Sequence, residues 1–456
     1  MKKIFYIAIC AVLLNSCHIY RDYQRPEGLP VDSLYRDINP SEVADTSNLG
    51  MLSWKEVYRD TCLQRLIEFG LQNNTDMQVA LLRVDQAQAQ LKAAKLSFLP
   101  SLTLSPQGAV TSTDGGKAVK TYELPLQASW EIDLFGKLRN AKQETLASLL
   151  QQQAYRQAVQ SELVASVANS YYSLLMLDEQ VKISAETLDV WKEQIRTMEA
   201  RLKVGEETEN AVTQARANLY ELEGSYNDLL RQQRETENAL CTLLGTTART
   251  VERGSLYEQT FPQQLSAGVP VSLLSRRPDV VQAEMELAAA YYSTNQARSA
   301  FYPSLTLSGS VGWTNSLGQI VTNPGGWILS AVASLSQPIF NRGKLISNLR
   351  VSKDEEQIAR LNYKQAILNA GEEVNNALYS IESVDRNLTI HTNQCRELER
   401  TVQTSESLYR TGNASYLELL TARQSLLNAR LNLVTDKFTY CQSIINLYCA
   451  LGGGGE

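Results

Sequence analysis

Two stretches of this chain are almost free of helix breakers. From Lys137 to Val204 there is neither Gly nor Pro, and from Lys344 to Thr411 there is one Gly and no Pro. Both are rich in Ala, Leu, Gln, Glu and Arg, which favour helix. Each predicts a helix of about 68 residues, on the order of 100 Å long. Apolar residues recur at every seventh position: Val167, Leu174, Val181, Leu188, Ile195 and Leu202, then Val374, Ile381, Leu388, Cys395, Val402 and Tyr409. A stripe with that period drives left-handed supercoiling against neighbouring helices. The companion stripe is broken by Asp178 and Asp385. These helices therefore need more than one neighbour, or keep one face wet.

Elsewhere the period shortens to two. In 121–130, Tyr122, Leu124, Leu126, Ala128 and Trp130 alternate with Thr121, Glu123, Pro125, Gln127 and Ser129. In 304–313, Leu305, Leu307, Val311 and Trp313 alternate with Thr306, Ser308 and Ser310. Segment 101–110 begins the same way, and 327–336 sets Trp327, Leu329, Ala331, Ala333 and Leu335 against Ser330, Ser334 and Ser336. About ten residues is the length a tilted strand needs to cross a bilayer. Apolar residues to one side, Ser, Thr and Gln to the other, and Tyr122, Trp130, Trp313 and Trp327 near the ends form the pattern of a transmembrane β-barrel with aromatic girdles. Polar loops are expected at 111–119 and 314–326. The competing reading is a pair of soluble hairpins capping a coiled coil.

The pattern is written twice. FLPSLTLS at 98–105 returns as FYPSLTLS at 301–308, and the offset of 203 becomes 207 further on, where Gly205 answers Gly412 and Leu244-Gly245 answers Leu451-Gly452. A period of about 200 residues signals a duplicated domain rather than a solenoid. The predicted organisation is a signal peptide (1–16), a lipid-anchored N-terminal segment (17–57), a first repeat (58–246), a linker (247–275) and a second repeat (276–456). Gly205 and Gly412 are expected to turn each long helix at its tip. Shorter helices should return over 210–244 and 414–451, and others should cover 62–97 and 278–300. Two shorter helices stacked end to end would match one long helix, giving antiparallel helices. Glu206-Glu207 reads as a solvated tip.

Composition changes this picture little. With 43 basic and 49 acidic residues the net charge is −6, which makes no case for nucleic-acid binding. At the N-terminus, Lys2-Lys3 and the apolar run Ile4–Leu14 suit a signal peptide and are too short to span a bilayer. The run ends in Leu14-Asn15-Ser16-Cys17, which resembles a bacterial lipobox and makes Cys17 the candidate for lipidation. Cys62, Cys241, Cys395, Cys441 and Cys449 have no metal-ligand spacing, and the two histidines, His18 and His391, are too few for most His-based catalysis. With no P-loop, nucleophile elbow or metal-ligand cluster, an enzyme is not expected, and neither is a cofactor or a metal.

Four strands cannot close a barrel, and open strand edges are not tolerated in lipid. Two chains would give eight strands with a filled lumen; three would give twelve and a water-filled passage. The fold class expected is thus an α+β membrane protein, with long antiparallel α-helical and transmembrane β-barrels completed as a trimer.

Three motifs carry a family resemblance. Ser272-Leu273-Leu274-Ser275-Arg276-Arg277-Pro278-Asp279-Val280 followed by Ala283-Glu284 resembles the LLxRRPDxxxAE signature of TolC-type outer-membrane efflux proteins, in their OprM-like lipoprotein branch. Phe301-Tyr302-Pro303-Ser304 is similar to that branch's FFPS phrase, and 409–420 resembles its YxxGxxSYLEVL turn. The resemblance implies a homotrimer in the outer membrane, with the helical barrel in the periplasm. Its implied partners are a periplasmic adaptor and an inner-membrane resistance-nodulation-division (RND) pump, and its implied cargo is drugs or other small molecules. Cys17 and the Arg276-Arg277-Pro278-Asp279 signature favour this cargo over that of a type I protein-secretion or metal-efflux duct. It also implies a periplasmic gate at the tips, where Leu417, Glu418 and Thr421 match gate positions and Tyr409 matches one that helps to hold the closed state. Family members often carry Asp where this chain has Thr421, so a second acidic ring is in doubt. Coiled-coil packing for Leu417 and Tyr409, and a solvated helix face for Glu418, remain the alternatives.

Overall fold

The computed structural model describes residues 20–28, 34, 49–112, 115–262, 276–317 and 320–455. The signal peptide, Cys17 and residues 263–275 of the linker lie outside them. The long helices form as the absence of breakers requires. They are α3 (Lys137–Lys203) and α6 (Lys344–Arg410), each 67 residues. Each is followed by a 35-residue return, α4 (Glu209–Leu243) or α7 (Tyr416–Ala450). The segment expected as one helix over 62–97 is two, α1 (Thr61–Asn73) and α2 (Thr75–Leu96). Asn74 interrupts it in an extended conformation: its backbone N–H still reaches the Gly70 carbonyl, while its side-chain oxygen accepts from the Met77 N–H. It ends one helix and caps the next. Its counterpart is α5 (Pro278–Ser299), with Pro278 in the first turn.

The strands are β1 (Ser101–Leu104), β2 (Gln107–Thr111), β3 (Val119–Ile132), β4 (Ser304–Leu317) and β5 (Ile320–Ser336). β1 and β2 pair with β3 in one unbroken register, from Ser101 opposite Ser129 to Thr111 opposite Val119. They are one strand interrupted at Ser105-Pro106, where Pro lacks the N–H a ladder needs. The sheet is antiparallel, with β3–β4 joining the two hairpins in its middle. The loop expected over 314–326 is mostly strand. β4 and β5 pair as far as Leu317 opposite Ile320, with a bulge at Thr314/Ser316. Asn315, turned by that bulge, accepts from the Tyr122 N–H and donates to the Lys120 carbonyl, so polar side chains extend the ladder where an apolar pattern had ended.

Two compact units emerge, and each draws on both repeats. One contains the sheet with 82–154 and 281–365; the other contains 30–81, 155–280 and 366–456. In the second unit the seven-residue stripe faces inward: Val167, Leu174 and Val374 are fully buried, Leu188, Ile195, Cys395 and Tyr409 nearly so. Asp178 breaks the companion stripe, and residues after the first repeat reach it there. Arg253 donates to both Asp178 oxygens at 2.5 and 3.0 Å and to buried Glu237 at 2.5 Å. Asp385, the equivalent in the second repeat, is exposed. The lone Gly of α6, Gly371, leaves room for Leu34 of the N-terminal segment, whose side chain a methyl group there would meet. No described helix is long and apolar enough to cross a membrane.

Candidate functional site: helix tips and sheet

Each hairpin tip is built by a glycine. Gly205 and Gly412 have φ of 78° and 76°, the left-handed region that suits Gly. At the first, the Glu206 N–H reaches back to the Arg201 carbonyl at 2.9 Å and the Gly205 N–H to Leu202 at 3.1 Å. At the second, Asn413 reaches Leu408 at 2.8 Å and Gly412 reaches Tyr409 at 3.1 Å. These are Schellman closures, which satisfy carbonyls the helix end leaves unpaired. The return helices begin at Thr208 and Ser415, whose hydroxyls accept from the N–H groups of Ala211 and Glu418. An ion pair then clips each hairpin below its turn: Arg216–Glu199 at 2.5 Å and Arg423–Glu406 at 3.3 Å, at equivalent positions.

Leu417, Glu418 and Thr421 come together on one exposed side of the first turns of α7. Leu417 is 64% exposed, unusual for a residue packed in a coiled coil. Glu418 sits at the helix N-terminus, where its carboxylate accepts from the Ser415 hydroxyl at 3.2 Å and favours the helix dipole. The Thr421 hydroxyl donates to the Leu417 carbonyl at 2.8 Å. Tyr409 is not among them. It is buried, and its hydroxyl donates to Glu207 at 2.5 Å, so Glu207 is a partner of the other repeat's tip rather than a solvated end. The Arg201 guanidinium lies 5.0 Å from the Tyr409 ring centre, and Tyr416 meets the ring edge-on at 5.9 Å. Burial first, then the bond to Glu207, push the Tyr409 phenol well above its usual range. Arg201 and Glu207 were missed from sequence because their equivalents in the second repeat, Leu408 and Ala414, carry no charge.

The sheet aligns its alternation across strands. Leu104, Leu126, Val311 and Leu329 form one cross-strand row, and Leu124, Trp313 and Trp327 another. The row next to the first of these, on the opposite face, is Thr103, Gln127, Ser310 and Ser330, with the last two hydroxyls 2.7 Å apart. One face is therefore apolar and the other largely polar, and large apolar side chains such as Leu329 at 83% are exposed. Tyr122, Trp313 and Trp327 cluster: the Trp313 indole donates to the Tyr122 hydroxyl at 3.3 Å, and the two Trp rings meet at 5.6 Å. Trp130 lies six residues along β3 from the Trp313 level, about 20 Å at the rise of a strand, and donates to the Phe98 carbonyl. Aromatic residues thus stand at two levels of the sheet.

Two signature residues turn out to be anchors. Arg277 is buried, grips both Asp279 oxygens, pairs with Glu373 at 2.6 Å and donates to the Ala450 carbonyl at the end of α7. Glu284 receives Arg25 through two bonds, at 2.8 and 2.6 Å. Residues 20–25 run antiparallel along α5, from Tyr20 beside Ser299 to Arg25 on Glu284.

Duplicated long hairpins joined by a sheet with one apolar and one polar face define a subunit of an outer-membrane channel. The chain belongs to the outer membrane efflux protein family, whose model matches residues 66–246 and 269–453. It is 31% identical over 454 residues to the cation efflux system protein CusC of Escherichia coli strain K12, covering 97% of this chain and 98% of that one. It is 30% identical over 471 residues to the toluene efflux pump outer membrane protein TtgC of Pseudomonas putida, covering 99% and 96%. The solved structure of the outer-membrane channel OprN superposes with a TM-score of 0.86 at 28% identity, over 96% of this chain and 100% of that one. The protein is an outer-membrane efflux channel component, and members of its family work as channels beside adaptors and inner-membrane pumps. Relatives named for cations and for toluene are equally similar, so the likeness does not choose a cargo.

Proposed function

We propose that this chain is the passive exit duct of a tripartite efflux system, working as a homotrimer with a twelve-stranded barrel. It would conduct drugs or other small solutes delivered by a periplasmic adaptor and an RND-type pump. The observation that carries this reading is the two-faced sheet with two unpaired edges, β1/β2 and β5. In lipid each unpaired backbone group costs several kcal/mol. The duplication predicts how the edges meet. Ile132 of β3 pairs with Leu305 of β4; shifting each by its repeat offset places Ile339 opposite Leu102 of the next protomer. That puts apolar against apolar and keeps both faces in phase. It also accounts for Ile339, which is 97% exposed in the single chain.

Cys17 is proposed as the lipid-bearing residue. Tyr20 packs beside Gly136 and Ser299, at the end of the sheet where the strands meet the helices. Three residues reach about 10 Å, enough to bring Cys17 to the membrane surface there. Palmitate labelling should vanish in Cys17→Ala and persist in Cys62→Ala. The girdle reading of Tyr122, Trp130, Trp313 and Trp327 is supported by their two levels, about 20 Å apart along the strands.

At the tips, Leu417, Glu418 and Thr421 form the proposed gate, with Tyr409–Glu207 and Arg201 as the latch that holds it. Threefold repetition makes Glu418 a ring of three carboxylates, which would favour cations. Glu418→Ala should change single-channel conductance or antibiotic leakage; if both stay unchanged, Glu418 is not in the gate. Cargo is tested by deleting the gene and screening susceptibility to drugs and to metal ions. Sensitisation to metal ions alone would favour the metal-efflux alternative.

A further inference from the structure

The two seams of the proposed barrel differ in charge. Within one chain, the β3–β4 seam is flanked on the helix side by residues 131–144 and 295–303, which hold four cations and three carboxylates. The carboxylates are engaged there. Glu131 pairs with Lys137 at 2.8 Å, Asp133 accepts from the N–H groups of Leu138 and Arg139, and Glu144 accepts from Gln296. Phe135 stacks on Tyr302 at 5.0 Å, and Tyr20 packs against Gly136. This seam is filled and nearly neutral.

The repeat offsets carry these stretches to 338–351 and 92–100, the two edges of the sheet. There the same positions hold five cations and no carboxylate. Pro338, Phe340 and Val351 replace Glu131, Asp133 and Glu144, while Lys344 and Lys95 keep the cations of Lys137 and Arg298. Lys92, Arg342 and Arg350 are added at positions equivalent to Asn295, Phe135 and Gln143, while Ile346 and Leu349 stand for Arg139 and Lys142. Lys92, Lys95, Arg342 and Lys344 are exposed and have no ion pair among the described residues. Exposed apolar side chains neighbour them in sequence: Leu96 and Leu99 on one edge, Phe340, 85% exposed, on the other.

We propose that each seam between protomers is a binding site for an anionic phospholipid of the periplasmic leaflet. Its phosphate would be held by Lys92 and Lys95 of one protomer and Arg342 and Lys344 of the next, with an acyl chain against Leu96, Leu99 and Phe340. This rests on the trimer reading above, because neither edge alone completes the site. Like charges brought within a Debye length of about 8 Å repel, and an anion between them removes the repulsion. Cations beside exposed apolar side chains, at the level of the proposed lipid anchor, are the chemistry of an anionic membrane surface. These cations lie where the strands meet the long helices, which is the periplasmic side on the channel reading above.

The test is native mass spectrometry of the purified full-length lipoprotein in a non-ionic detergent. It is run with phosphatidylglycerol, with phosphatidylcholine and with inorganic phosphate. The expected result is a trimer that retains up to three phosphatidylglycerol molecules, about tenfold over phosphatidylcholine. K95Q/R342Q/K344Q should lower that retention about tenfold with the trimer mass unchanged. R298Q, at the position of the within-chain seam equivalent to Lys95, should leave it unchanged. A trimer that retains both lipids equally, a triple variant that retains as much as the parent, or displacement of the lipid by free phosphate would each overturn the site. A chain that is monomeric in every condition would overturn the trimer reading, and the site with it.

Discussion

The two repeats of this protein share helices of 22, 67 and 35 residues in the same order. What they share is what folds a hairpin. Glycine closures sit at Gly205 and Gly412, and again at Gly245 and Gly452, where Thr246 and Gly453 reach back to Cys241 and Tyr448 at 2.9 Å. The Arg216–Glu199 clip recurs as Arg423–Glu406. Even where residues changed, one pair changed together: Lys192–Glu223 at 3.0 Å answers Glu399–Arg430 at 2.7 Å with the charges exchanged. What differs is what meets a different neighbour. Tyr172 is fully buried against Phe261 of the linker, whereas its equivalent Tyr379 is 67% exposed. At the tips, Glu207 and Arg201 in the first repeat serve Tyr409 in the second. Duplication preserved the internal bonds of the hairpin and freed its outer faces to diverge.

The difference between Tyr172 and Tyr379 gives the largest expected effect. Tyr172→Ala should cost about 3–5 kcal/mol, the range for emptying a buried aromatic site. Tyr379→Ala should leave a single chain nearly unaffected and weaken only the assembled trimer. Thermal unfolding of the two variants, with and without trimer-dissociating detergent, separates these outcomes. Equal losses in both would remove the contrast.

Next comes the tip. Tyr409→Phe removes the hydroxyl that Glu207 accepts and should raise basal conductance, as should Glu207→Gln to a smaller degree. Ala414→Glu, at the position equivalent to Glu207, should leave the latch intact. The Tyr409 phenol ionises well above its ordinary range, so neutral pH leaves the latch bond unchanged, and conductance should be flat from about pH 6 to 9. A titration in that interval would point to another group.

Alkaline pH tests the buried core of α7. Burial pushes the Cys441 and Cys449 thiols up to about 12. A thiol whose pKa is raised by folding contributes fully below its unfolded value, about 8.5. That contribution is lost as pH rises toward 12, because the unfolded chain releases the protons first. Thermal stability should therefore fall from about pH 9 upward, less steeply in Cys441→Ala. A slope identical to the parent's would contradict the assignment.

The smallest effect is the exchanged ion pair. Lys192→Glu faces Glu223 with a like charge, and adding Glu223→Arg reproduces the second repeat's arrangement. Both partners are partly exposed, so the recovery should be about 0.3–1 kcal/mol in a double-mutant cycle. No recovery would mean the exchange is coincidental.

Much of this was legible in the sequence because local rules agreed. Absent breakers and a seven-residue stripe gave α3 and α6 to within a residue of their ends, and strand alternation gave the two faces. The break at Asn74 was written as an Asn-Thr-Asp capping pattern inside a run otherwise periodic as helix. The extension of β4 and β5 through 314–326 was hidden, since Gly, Asn and Pro there signal a loop until Asn315 is seen completing the ladder. Long-range polar partners were the least visible. Nothing near Asp178 announces Arg253, 75 residues away, and nothing near Tyr409 announces Glu207. Such bonds depend on which helices become neighbours, and one strand of sequence does not state it.

The central claim is that three chains close one barrel by pairing β5 of each with β1 of the next. Disulfide formation between Leu102→Cys and Ile339→Cys in the same chain tests it most directly. The in-chain pair Ile132→Cys/Leu305→Cys, opposite each other in the β3–β4 ladder, serves as the geometric control. Under mild oxidation the account predicts covalent dimers and trimers from the first pair and only monomers from the second. If the first pair also yields only monomers while the control forms its bond, the barrel is not closed in this way.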